Sequence, residues 1–204
     1  MSGPHLIGTS ALVDGRLLQD EQEVAIAEGP LEEMLRGLYQ TLTLDYPKFH
    51  KMDAVSKLGL LLTEPLVRMA REHGADITND MAIAGMGRSG CSTTDQEHWR
   101  VRTATGLASP AVFVYTLPNI GLGEITIRHK VFGPSVCLLA DRPDAELFWN
   151  TMRCFHERDG TAWAICYWSD IFADRYEAKA VLIGPGSGRP LDQRMLRTLF
   201  DIPT

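Results

Sequence analysis

From Pro30 to Leu42 apolar residues recur at helical spacing, at Leu31, Met34, Leu35, Leu38 and Leu42. Pro30 suits the first helical position, where its missing N–H is not needed. A second helix carries Met52, Val55, Leu58 and Leu62 on one face, with a kink or break expected near Thr63, ahead of Pro65, and a stop at Gly74. Strand-length apolar pieces precede these at Leu6–Ile7 and Ala11–Val13, ahead of a turn at Asp14-Gly15. Further on, Met81–Ala84 predicts a strand that runs into a glycine-rich turn, Gly85–Gly90, followed by a polar segment and a loop to Ser109-Pro110. Ala111–Phe132 reads as a helix made irregular by Pro118. The continuous apolar run Ser135–Ala140 reads as a buried strand. Asp141 is the expected cap of a helix to Arg158 whose stripe is Leu147, Phe148, Met152 and Phe155. Strands at Thr161–Trp168 and Val181–Ile183, a Gly/Pro loop and an amphipathic C-terminal segment complete the pattern.

Strands alternating with helices predict an α/β domain with a layered, mixed sheet. At 204 residues the chain suffices for one domain, 1–204. The formal charge of −6 argues against nucleic acid or an anionic membrane as partner. No apolar stretch reaches the ~18 residues of a membrane span, and MSGPHLIGTS has no basic region followed by an apolar one, so a cytoplasmic location is expected. Cys91, Cys137, Cys154 and Cys166 are scattered without a CxxC, which fits structural thiols rather than disulfides or zinc. Cys154 and His156, two apart on a helix, point in different directions, so no metal site is expected.

Gly85, Gly87 and Gly90 fit G-x-G-x-x-G after a strand, the dinucleotide fingerprint. No acidic residue stands at the ribose position, and Cys91–Thr94 is a weak helix start, so a tight structural turn is the better reading. Ser89 lacks the spacing of a nucleophile elbow. Cys137 lies inside a strand, where a thiol behaves as a small hydrophobe, and neither His98 nor His129 stands in a context that marks a base.

The stretch Ser109-Pro110-Ala111-Val112-Phe113, Asn119, Gly123-Glu124-Ile125-Thr126-Ile127-Arg128 and Gly133-Pro134-Ser135 resembles the N-terminal half of the β-ketoacyl synthases, the thiolase-fold condensing enzymes. Phe49–Leu62 resembles the family's R-M-x-x-x-S-K helix, and Met81–Gly90 its strand and glycine turn. The resemblance runs over residues 45–183 and leaves 184–204 as a tail. It implies half of a thiolase-like fold.

Active members carry a cysteine eight residues after the proline of G-P-S; counting from Pro134, that position is Arg142. A guanidinium keeps its proton and cannot accept an acyl group. The family's two histidines belong to a C-terminal half that this chain does not extend to. By resemblance the chain is a non-catalytic, chain-length-factor-like subunit of a type II fatty acid, polyketide or polyene system, with no cofactor of its own. Substrates would ride on the phosphopantetheine of acyl carrier protein. Phe113, Tyr115, Thr116, Leu117 and Ile120 would line the acyl tunnel or interface; Ser135, Val136, Cys137, Leu138 and Leu139 would form the dimer strand. The partner would be an active ketosynthase or a second copy, because a half-fold is expected to expose the helix face that the second half covers. Two alternatives stand beside this: a stand-alone acyl-thioester enzyme using Cys137, His98 or His129, and a homodimeric acyl-binding protein.

Overall fold

The computed structural model describes residues 3–173, 175–186 and 188–200. Eight strands form one mixed sheet in the order β3-β2-β1-β7-β6-β4-β5, with the short β8 (Arg189–Pro190) paired to β1. The strands are β1 His5–Val13, β2 Arg16–Gln19, β3 Gln22–Ile26, β4 Met81–Gly87, β5 Ser135–Leu139, β6 Trp163–Phe172 and β7 Arg175–Gly184. β4 runs parallel to both β5 and β6, and the remaining ladders are antiparallel. Helices cover both faces, so the expected layered α/β class holds.

On one face lie α1 (Leu31–Thr41), α2 (Ala54–Glu72) and α5 (Asn119–His129); on the other, α6 (Ala145–Asp159) and α7 (Gln193–Phe200). α2 is buried almost all round, with Leu58, Leu61, Leu62 and Leu66 inaccessible to solvent. Of the kink or break expected near Thr63, the break is absent: the helix continues through Pro65, where burial on every side outweighs the one backbone bond a proline forfeits. Asp53 starts it, with Oδ1 accepting from the Ser56 amide at 3.1 Å.

Several expectations need correction. Leu6–Ile7 and Ala11–Val13 belong to one nine-residue strand, followed by the unforeseen hairpin of β2 and β3. The predicted helix 111–132 is two, α4 (Pro110–Val114) and α5, parted at Tyr115–Pro118. The segment after the glycine turn is α3 (Ser92–Thr105), which buries none of its residues. The cap of α6 is Asp144, whose Oδ1 accepts from the Leu147 amide at 2.9 Å, not Asp141. β5 is an edge strand, half-buried rather than buried, because among the described residues no further strand pairs beyond it.

α6 and α7 do not present the bare apolar helix face expected of a half-fold. α7 packs on α6, with Phe200 and Phe148 ring centroids 4.8 Å apart, and the outer side of α6 presents Arg153, Glu157 and Arg158. Among the described residues, no large exposed hydrophobic side chain belongs to α6 or α7. The exposed ones lie elsewhere: Trp99, Leu107, Phe113, Val114 and Leu117 from α3 to the turn after α4, Phe132 and Leu139 near the two ends of β5, Val13, Val24 and Ile26 on the β1–β3 hairpins, Ile127 on α5 and Phe172 at the end of β6.

Candidate functional site

The region of interest is built around β5. Pro134 O accepts from the Ile83 amide, and the Ala140 amide donates to Gly87 O. In a parallel ladder alternate residues bond to the same neighbour. Ser135, Cys137 and Leu139 therefore turn their N–H and C=O away from β4, along the open edge. Side chains alternate in the same way. Val136 and Leu138 join the core under α6, while Cys137 packs against the α2–α5 core and Leu139, 60% exposed, stands at its margin.

Beside Cys137 the backbone of β4 is stripped of side chains. The ring of Tyr167, on β6, lies over Gly85 so closely that a Cβ there would sit 2.4 Å from its hydroxyl. At Gly87 a Cβ would meet Ser169 O at 2.7 Å. The glycine turn then closes on Asp170, which is 2% exposed. Its Oδ1 accepts from the amides of Arg88 and Ser89 at 2.9 and 2.6 Å, and its Oδ2 from the Arg88 guanidinium at 3.1 Å and the Ser89 hydroxyl at 3.2 Å. The amides that a phosphate would need are already held by a carboxylate. The fingerprint is a structural turn, as the sequence suggested.

α3 and α4 rest on two further anchors. Asp53 Oδ2 accepts from the Thr94 hydroxyl at 2.8 Å, tying the start of α3 to the start of α2. Burial raises the Asp53 carboxyl above its usual range, against hydrogen bonds that lower it. Glu124 on α5 takes Tyr115 Oη at 3.2 Å and also Tyr46 Oη, with Lys48 Nζ at 3.9 Å. Burial, then the Glu124 charge, pushes the Tyr115 hydroxyl up to about 12. Of the residues expected to line a tunnel, Tyr115 is thus turned inward and pinned. Phe113 and Leu117 point to solvent, with Phe113 5.5 Å from the His98 ring, while Thr116 and Ile120 are half-buried.

Arg142 lies in the loop between β5 and α6, exposed, with no hydrogen bond or ion pair to the described residues. Burial opposes the thiolate at the two cysteines beside the glycine turn and β5. Burial pushes Cys91 up to about 12, with Asp53, Asp95 and Cys137 adding to it, and burial raises Cys137 as well. Among the described residues no cysteine bonds to a histidine; His129 lies 3.3 Å from Glu64 instead. No group of three or more His, Cys, Asp or Glu among the described residues could hold a metal ion, and none of the described helices is long and apolar enough to cross a membrane.

No protein-family model and no curated protein matches this sequence. Solved structures do. The ishigamide ketosynthase/chain length factor superposes with a TM-score of 0.65 at 13% identity over 91% of this chain. The complex of the ketosynthase ApeO with its chain length factor ApeC from Xenorhabdus doucetiae gives 0.61 at 15% identity over 98%. This chain has a ketosynthase-like fold. A type II polyketide acyl carrier protein in complex with its ketosynthase, AntDE:AntF, gives 0.60 at 10% identity over 90%. The ketosynthase-like chain spans 63% and 62% of the matched chains in the first and third structures, but 91% of that in the second.

In this fold the residues that resemblance nominated fall on β5, α4, the turn after it, the start of α5 and the β5–α6 loop. No sequence pattern marks Tyr167 and Val55 as neighbours of β5, or Asp170 as the anchor of the glycine turn. A lone aspartate ending an apolar strand was the one available signal for Asp170.

Proposed function

We propose that this chain is a non-catalytic, chain-length-factor-like subunit that docks on an active ketosynthase through the edge of β5 and helps to shape its acyl tunnel. The observation that carries this is the asymmetry of the two sheet edges. β3 carries Glu23, paired with Arg16 at 3.7 Å, beside exposed Val24 and Ile26, and residues 14–45 around it hold eight acidic and two basic side chains. Charge on an edge strand discourages pairing. β5 has no charge in Ser-Val-Cys-Leu-Leu, offers three residues' worth of open backbone groups, and is flanked by bare Leu139 and Phe132. An uncovered apolar edge is a template for a strand from another chain.

The matched structures that are ketosynthase complexes support a partner of that kind, and Arg142 at the position where active relatives keep cysteine supports a role without acyl transfer. The substrates would reach the complex on the phosphopantetheine of an acyl carrier protein.

The test is to co-express the chain with full-length ketosynthases that keep their cysteine and histidines, and to assay condensation. The expected result is a one-to-one complex whose condensing activity vanishes when the partner's cysteine is replaced and survives Arg142→Ala. Turnover of an acyl thioester by this chain alone, or separate elution of the two chains at micromolar concentration, contradicts the proposal. A dimer of this chain through the same edge would replace the ketosynthase with a second copy.

A further inference from the structure

A hollow of about 350 Å³ lies on the α6 face of the sheet, where β6 begins and β7 ends. Asp170, which holds the glycine turn, stands seven residues along β6 from Trp163, so the hollow lies about 20 Å from that turn. Trp149, Met152, Arg153 and His156 follow at i, i+3, i+4 and i+7 on α6, the spacing of one helix face, and all four border it. Met152, Ala164 and Ile183, core residues of this face, make an apolar floor, and half-buried Trp149 stands as a wall. Pro4 closes one side, its carbonyl accepting from the Leu191 amide at 2.9 Å.

The polar groups gather where α6 gives way to β6. Gly160, at φ 69°, ends the helix in the left-handed conformation. The turn brings His156 Nδ1 to 2.9 Å from Thr161 O. A carbonyl only accepts, so Nδ1 carries the proton, and Nε2 of the neutral ring keeps a lone pair. Among the described residues Nε2 has no partner. Neither has the Thr161 hydroxyl, although Thr161 is only 6% exposed. A buried hydroxyl left unpaired is costly, so this one must find its bond in water or in a ligand. The charges at the rim cancel: Arg153 Nη2 donates to Glu157 Oε1 at 2.8 Å. No other lining residue carries a fixed charge, so the site favours neither an anion nor a cation.

We infer that this hollow binds an uncharged ring alcohol, its flat apolar body against Trp149 and Met152 and its hydroxyl donating to His156 Nε2 and accepting from the Thr161 hydroxyl. An aromatic ring suits these walls better than a flexible chain, because an indole and a thioether sulfur both attract aromatic rings. The volume is at the small end for ligand sites, which fits a compact molecule. No residue of the site belongs to β5, so binding by the chain alone is tested separately from pairing with a ketosynthase.

The test titrates the full chain by calorimetry with 2-naphthol, with 2-methylnaphthalene, which lacks the hydroxyl, and with 2-naphthoate, which carries a charge. The expected result is saturable binding of one 2-naphthol per chain, with each of the other two about tenfold weaker or more. His156→Phe and Thr161→Val should each weaken 2-naphthol about tenfold and leave 2-methylnaphthalene unchanged, whereas Trp149→Ala should weaken both. If Trp149→Ala or His156→Phe does not fold, as judged by its thermal melt, the isosteric Thr161→Val carries the test. No saturable binding of 2-naphthol overturns the site. So does equal or tighter binding of 2-methylnaphthalene or 2-naphthoate, or 2-naphthol binding that Thr161→Val leaves unchanged.

Discussion

Arg128 grips Glu64 fork to fork: Nε and Nη2 of the guanidinium donate to the two carboxylate oxygens at 2.7 and 2.9 Å, joining α5 to α2. Burial alone would raise the Glu64 carboxyl, but hydrogen bonds and charge from His129 and Arg128 hold it at about 2, against 4.5 for the free group. Nη1 of Arg128 also donates to Asp45 O at 2.9 Å. This grip fixes α5, and so the Tyr115 anchor, against the main core helix.

That geometry predicts the acid limb of stability. Because the folded value is depressed, the stabilisation is fully present above pH 4.5 and is lost as pH falls through about 2. It amounts to about 3 kcal/mol. Glu64→Gln should remove most of it at neutral pH, since Arg128 is left buried without its counter-charge. Urea midpoints measured from pH 7 to pH 2 check this: the wild-type curve should fall at its acid end while the variant's stays flat there. Parallel curves contradict it.

Gly85 tests the close approach of Tyr167. Gly85→Ala places a methyl 2.4 Å from the phenol oxygen and 2.5 Å from Cζ, and the overpacking should cost about 1–3 kcal/mol. Removing the hydroxyl alone, in Gly85→Ala with Tyr167→Phe, should not restore stability, because Cε1 is still only 2.9 Å away. Adding Tyr167→Leu instead should recover much of it. Chemical denaturation of the three variants decides.

Asp170 holds the glycine turn by four hydrogen bonds. Asp170→Ala leaves two turn amides without their acceptor and should destabilise by about 2–4 kcal/mol. Equilibrium dialysis of the wild type with a dinucleotide should show no binding, because Asp170 occupies the amides; saturable binding would contradict that.

Much of this was legible in the chain, and the gaps have physical causes. α1 and α6 announced themselves because each packs one apolar stripe on the sheet, and Met34, Leu35, Leu38, Phe148 and Met152 are buried as their spacing implied. α3 was illegible because it has no stripe: its place depends on a hydrogen bond from Thr94 to Asp53, far apart in sequence. β3 buries only Ala25, too little for a pattern of period two. β7 was seen only at Val181–Ile183, since its first half carries Glu177 and Lys179. The run Ser135–Leu139 was correctly read as a strand but placed in the interior, because sequence alone cannot distinguish a strand covered by its own chain from one left open at an edge. The same run was nominated as a contact surface by resemblance, and its position at the sheet edge is compatible with that.

Arg142 separates shape from chemistry. It is exposed and makes no hydrogen bond or ion pair with the described residues, so Arg142→Ala should change stability by no more than about 0.5 kcal/mol. Its effect on condensation by the paired complex should be equally small. A normal melting temperature with activity collapsed would instead assign the guanidinium a ligand, such as a carboxylate or a phosphate.

The open edge of β5 can be tested amide by amide. In the free chain the N–H groups of Ser135, Cys137 and Leu139 should exchange rapidly with solvent deuterium, while that of Ala140, bonded to Gly87, exchanges slowly. On binding a ketosynthase those three should slow by about a hundredfold or more, as strand pairing requires. A stable complex in which they exchange as fast as before would contradict docking through this edge.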